Sequence, residues 1–223
     1  MTLSSVARRP VFGGDVISES HGRVRSMTIG VEGKDTTIVA LNIRLLGPPV
    51  IEREGQVVSP PRGRKAWAVL AYVVLHDRQV SRRQLAELLF SEADDPLGAL
   101  RWTFAELRRS IGSKGAFRGD PVVVGLSGVT IDVASIGTSD PAVLLSLRGE
   151  LLEGLSVDGC PVFESWLTVE RYRVSAAIEG RLRLAAIGLI SSGRFDDAIA
   201  FASQTVSRNV FAIVAQHVSP SEN

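Results

Sequence analysis

Four residues in one short stretch have the chemistry to recognise a nucleic-acid duplex: Arg101, Trp102, Arg108 and Arg109, within Leu97-Gly-Ala-Leu-Arg-Trp-Thr-Phe-Ala-Glu-Leu-Arg-Arg-Ser-Ile111. A guanidinium grips a guanine edge or a phosphate through two parallel hydrogen bonds. An indole packs on a sugar or a thymine methyl. Apolar residues at 97, 100, 104, 107 and 111 predict a helix, because at about 3.6 residues per turn they share one face. Gly98, Trp102, Ala105 and Arg109 lie opposite that stripe, and Arg101 and Arg108 fall on one flank. Arg101 is the leading base-edge candidate, and it is equally suited to an ion pair with a carboxylate such as Glu87. Arg108 and Arg109, near the helix end, suit phosphate contacts or plain C-terminal capping. Trp102 suits the groove, or an interface with the second half of the chain or another protomer.

The neighbouring segments must position this helix. Ser81-Arg-Arg-Gln-Leu-Ala-Glu-Leu-Leu-Phe90 predicts a shorter helix, with Ser81 capping its first turn and Gln84 at the reciprocal capping-box position. Ser91-Glu-Ala-Asp-Asp-Pro96 is the turn after it, and Pro96 suits the first turn of the next helix, expected over 94–111. Such a pair is a helix-turn-helix candidate. Lys65 to Leu75 is apolar enough for a buried helix, although its valines keep a strand open. Thr37 to Leu46 reads as a strand ended by Gly47-Pro-Pro49, and Pro121 to Asp132 as a hairpin turning at Leu126-Ser-Gly128. Arg64 and Lys65 open one helix and Arg82 and Arg83 another, where free backbone donors favour phosphate; Arg118 stands at the base of the expected hairpin.

With these elements in place, the chain resembles the bacterial transcriptional activator domain (SARP-type) regulators. Arg44-Leu-Leu-Gly47, Arg64-Lys-Ala66, Val80 to Leu89, Ala99-Leu-Arg101 and Glu106-Leu-Arg-Arg109 are similar to the family's winged-helix DNA-binding domain. Glu150-Leu-Leu-Glu-Gly154 with Phe163 to Arg171 is similar to its link into a helical activator domain, and Ala185 to Ala200 to one repeat of that tetratricopeptide-like domain. The resemblance implies an α+β winged helix-turn-helix domain over 37–134, followed by an all-α, TPR-like region over 140–210 that holds one convincing repeat and reads as truncated. It also implies double-stranded DNA as partner, direct-repeat sites occupied by side-by-side protomers or a homodimer, recruitment of RNA polymerase, and activation as the outcome. Trp102 and Glu106 depart from the family pattern, which more often has a small polar residue and a basic one there. Base preference is therefore not transferable.

Composition narrows the remaining classes. The 223 residues, 45% hydrophobic, suffice for a sizeable core, and the one cysteine, Cys160, excludes an intramolecular disulfide and a multi-cysteine zinc site. His21, His76 and His217 are scattered, and no phosphate-binding Gly-Lys-Ser/Thr loop, His-Glu-x-x-His motif or Gly-x-Ser-x-Gly elbow occurs. No enzymatic activity, cofactor or metal is expected. Residues 1–36, with Arg8, Arg9, Arg23 and Arg25, read as a flexible arm, and 211–223 as a tail. The longest apolar run, Ala66 to Leu75, is too short to span a bilayer, so no membrane contact and a cytoplasmic, nucleoid-associated location are expected. Residues 41–132 carry 13 Lys and Arg against 10 Asp and Glu, whereas 133–223 carry 7 against 10. That asymmetry puts DNA on the first half and protein partners on the second. The competing expectation is a protein-interaction module whose degenerate winged helix no longer binds DNA.

Overall fold

The computed structural model describes residues 41–76 and 78–205. The expected arm over 1–36, the tail over 211–223, and residues 37–40 of the expected first strand lie outside the described residues. Four short strands form one sheet: β1 (Leu41–Arg44), β2 (Val50–Arg53), β3 (Gln56–Val57) and β4 (Val129–Ile131), in the order β3-β2-β1-β4. Alternation sets the register. Leu41 and Ile43 are buried while Asn42 and Arg44 face outward, and Ile43 pairs with Ile51 on one side and Ile131 on the other.

Residues 50–57, to which the sequence assigns no element, form the β2–β3 hairpin, turned at Glu54-Gly55, both at positive φ. One β expectation needs correction. The hairpin expected over 121–132 does not form, because β4 pairs parallel to β1 rather than with the valines before it. A smaller hairpin lies earlier: Arg118 and Val123 exchange both backbone hydrogen bonds, at 3.1 and 2.7 Å, and Phe117 donates to the Val124 carbonyl at 3.2 Å.

Three helices pack on the sheet: α1 (Arg64–Leu75), α2 (Arg82–Phe90) and α3 (Pro96–Ile111). Each boundary has a local cause. The Ser81 hydroxyl accepts from the Gln84 N–H at 3.1 Å, and the Gln84 side chain accepts from the Ser81 N–H at 2.9 Å, which completes the capping box. Pro96 opens α3 behind Asp95, whose carboxylate accepts from the Gly98 N–H at 2.8 Å. Gly112 ends α3 in the left-handed region, donating to the Arg108 carbonyl at 2.9 Å. His76 closes α1 through its backbone N–H to the Tyr72 carbonyl, while its ring stacks on Tyr72.

Two short helices, α4 (Asp132–Ser135) and α5 (Pro141–Leu144), lead to the long α6 (Pro161–Ser191). A turn over 192–194 then gives a further helix, α7, over 195–205. The turn falls inside the repeat expected at Ala185 to Ala200, but its first helix reaches back to Pro161. The link between the two halves docks on the sheet: the Gly47 N–H donates to the Glu150 carbonyl at 2.8 Å and the Leu152 N–H to the Leu45 carbonyl at 2.8 Å. Phe163, Leu167, Val174, Ile178 and Leu182 of α6 continue the same core that holds Leu70, Leu89, Phe104 and Leu107. Cys160 lies buried at this junction, its thiol directed at the Leu89 carbonyl at 3.4 Å. Among the described residues, no helix is long and apolar enough to cross a membrane.

Candidate nucleic-acid interface

The buried side of α3 is made by Leu100, Thr103, Phe104, Leu107, Ser110 and Ile111. Leu97, which the periodicity assigned to the apolar stripe, is 44% exposed, because the stripe meets the core only from Leu100 onward. The opposite side shows Arg101, Trp102, Ala105 and Arg109 to solvent, and Trp102 is 52% exposed. An indole left that open forgoes much of the hydrophobic gain that burial within its own fold would give.

The arginines divide into two groups. Arg108 turns inward: its Nε donates to the Ala116 carbonyl at 2.7 Å, its Nη2 to the Phe117 carbonyl at 2.8 Å, and its guanidinium lies 5.8 Å from the Phe104 ring centre. Burial, with the neighbouring Arg82 and Arg118 charges, lowers its pKa from the ordinary guanidinium value. Arg82 does the same from α2, donating through Nε to the Gly119 carbonyl at 2.8 Å and lying 5.3 Å from the same ring. Phe104 itself stacks on Phe117 at 5.6 Å. Two guanidiniums and two rings thus bind the 116–119 loop to the helix pair, and this work occupies the hydrogen-bonding edges of both arginines.

The remaining cations stay at the surface. Arg101 pairs with Asp95 at 3.1 Å, not with Glu87, which Arg83 takes at 2.7 Å. Arg109 pairs with Glu106 at 2.7 Å and holds that carboxyl below the usual carboxylate range. Glu106 also accepts from the Arg62 N–H at 3.3 Å, so it ties α3 to the segment before α1. Arg118, on the small hairpin, donates to the Lys114 carbonyl at 3.2 Å. Arg64 is exposed at the start of α1, where Gly63 offers no side-chain cap, and Lys65 lies 5.3 Å over the Phe90 ring. The Arg101–Asp95 and Arg83–Glu87 pairs are exposed on both sides and contribute little, whereas the Glu106 side chain is only 13% exposed.

Trp102 and the start of α1 come together around a recess of about 450 Å³, walled also by Phe90, Ala99 and Val157. Arg62 lines it, although Pro60-Pro-Arg-Gly63 reads locally as punctuation and gives this residue no functional signal in the sequence. Its proximity to Trp102 depends on α1 crossing α3, which no local pattern encodes. Asp158 is on the same rim, so the recess has mixed charge.

The fold is a small sheet within a mostly helical chain, an arrangement consistent with a winged helix-turn-helix domain followed by a helical region. No protein-family model and no curated protein matches the chain. A solved structure of Mycobacterium tuberculosis EmbR, in complex with a low-affinity phosphopeptide, shares the fold: TM-score 0.51 at 19% identity, covering 76% of this chain and 54% of that one. The chain therefore spans about half the length of EmbR.

Proposed function

We propose that this chain is a DNA-binding transcriptional regulator of the SARP type, acting as an activator. The observation that carries the reading is the uncovered side of α3, where Trp102 stands exposed between Arg101 and the cationic start of α1. In this reading α3 enters the major groove by its N-terminal half, since the groove admits a helix and presents distinguishable base edges. Arg101 reads a base edge, Trp102 packs on sugar or thymine methyl, and Arg64, Lys65, Arg83, Arg109 and Arg118 contact phosphates. Arg82 and Arg108 serve indirectly by fixing the 116–119 loop. The helical region meets protein partners, RNA polymerase among them, with protomers side by side on DNA in the cytoplasm. The fold shared with EmbR and the resemblance of the sequence motifs both support it.

One observation favours the competing interaction module: Arg101, Arg109 and Arg83 are each already paired with a carboxylate. Selection of bound duplexes from a random library, followed by anisotropy titration at several salt concentrations, separates the readings. The regulator yields an enriched sequence whose affinity falls steeply with salt. Folded protein that enriches no sequence and shows no salt-dependent duplex binding overturns it.

A further inference from the structure

A second cavity, of about 550 Å³, lies where the end of α1, the small hairpin, α4 and α6 meet. Its size falls within the range of sites that enclose small organic ligands. Val74, Val80, Val122, Ile136 and Val174 supply an apolar wall, drawn from both halves of the chain. Val122 is held there by its N–H, which donates to the Val80 carbonyl at 2.8 Å.

Polar side chains share the lining: His76, Arg78, Glu170 and Arg173. Glu170 is only 4% exposed and is already engaged, accepting from Arg173 at 2.6 Å. Arg78 has no hydrogen-bond or ion-pair partner among the described residues, and it is exposed at the cavity's edge. A cationic ligand would meet two guanidiniums and a carboxylate that is already paired. A neutral ligand would leave Arg78 unused. An anion on an apolar body satisfies both parts of the lining, because a guanidinium matches a carboxylate with two parallel hydrogen bonds while hydrocarbon covers the valines.

We propose that this cavity binds a small amphipathic carboxylic acid, its carboxylate on Arg78 and its hydrocarbon or aromatic body against Val74, Val80, Val122 and Val174. The bound acid bridges the sheet-and-helix half and the helical half, since α1, the hairpin and α6 all contribute walls. This assignment is independent of whether the chain binds DNA.

Isothermal titration calorimetry on the full chain tests it with octanoate, 1-octanol and octylamine as probes of equal chain length. Saturable 1:1 binding of octanoate is expected, at least about tenfold tighter than either the alcohol or the amine. Arg78→Ala, at an exposed position, is expected to bring octanoate down to the alcohol's affinity. Ala177→Trp, which fills the cavity from α6, is expected to abolish binding of all three. Far-UV circular dichroism confirms that each variant is folded, and Arg78→Ala decides the matter alone if Ala177→Trp is not. The proposal is overturned by the absence of saturable octanoate binding at millimolar concentration, by equal binding of the three probes, or by octanoate binding that survives Arg78→Ala unchanged.

Discussion

Asp95 and Arg101 are joined across the first turn of α3, with Oδ2 of the carboxylate 3.1 Å from Nη2 of the guanidinium. The other carboxylate oxygen, Oδ1, caps the helix at the Gly98 N–H. One residue therefore starts the helix and also restrains its most exposed arginine. Asparagine caps as well as aspartate but carries no charge. Asp95→Asn is expected to keep the fold and raise duplex affinity several-fold by freeing Arg101 and removing a negative charge. Arg101→Ala is expected to lower affinity about tenfold or more on the selected sequence, with less loss on unrelated DNA. Fluorescence anisotropy on both variants checks this, and unchanged affinity in both removes Arg101 from the interface.

The relationship also shows how far a sequence can be read. Ser81 with Gln84, and Pro96 after Asp95, are local devices, and both helix starts were legible because capping is decided within four residues. The outward position of Trp102 followed from helical period alone. The distinction between Arg101 and Arg108 did not, because both lie on the same flank of the helical wheel. What separates them is the return of the chain at 116–119, which gives Arg108 two carbonyls and leaves Arg101 in solvent. For the same reason the valines at 122–124 suggested a strand. Their partner would have been adjacent in sequence, whereas β4 finds β1 across the whole helical segment. The β2–β3 hairpin carried its signal in Glu54-Gly55, but Val50-Ile-Glu-Arg53 is too short and polar for alternation to register.

The division of the arginines predicts opposite outcomes for two adjacent substitutions. Arg108→Ala removes the donors to the Ala116 and Phe117 carbonyls and the cation over Phe104. Charged hydrogen bonds contribute about 1.5 to 3 kcal/mol, and a loss of that order is expected in urea unfolding. Arg109→Ala breaks the pair with Glu106, whose carboxylate keeps the Arg62 N–H, and is expected to shift the unfolding midpoint far less than Arg108→Ala while weakening duplex binding. Equal destabilisation by the two would contradict the inward role of Arg108.

Asp132 predicts a pH dependence. Its carboxylate accepts from the N–H groups of Leu45, Leu46 and Val133 at 2.7 to 3.0 Å, fixing α4 to the end of β1. Burial raises its pKa, and those hydrogen bonds and the Arg44 charge offset only part of the rise. The folded protein thus holds this proton more tightly than the unfolded chain does. The group's contribution to stability is full below the ordinary aspartate pKa of about 3.9, and is lost as pH rises through the raised value. Asp132→Asn does not titrate. The stability of wild type minus that of Asp132→Asn, from urea midpoints across mildly acidic pH, is expected to fall with rising pH; a difference that grows instead would refute the raised pKa.

Leu182 and Leu184, two residues apart on α6, separate the face that the fold uses from the face it leaves open. Leu182 is fully buried in the shared core, whereas Leu184 is 70% exposed beside the similarly open Ile187 and Ile190. Leu182→Ala is expected to cost about 2 to 5 kcal/mol, because it removes transfer energy and leaves a cavity between α6 and its neighbours. Leu184→Ser removes a side chain that is in water already, so its thermal midpoint is expected to stay at the wild-type value. Differential scanning calorimetry of the two variants at one low protein concentration makes the comparison. Loss of stability from Leu184→Ser that grows with protein concentration would mean that the open face is covered by another copy in solution, and the two leucines would then belong to different interfaces rather than to core and solvent.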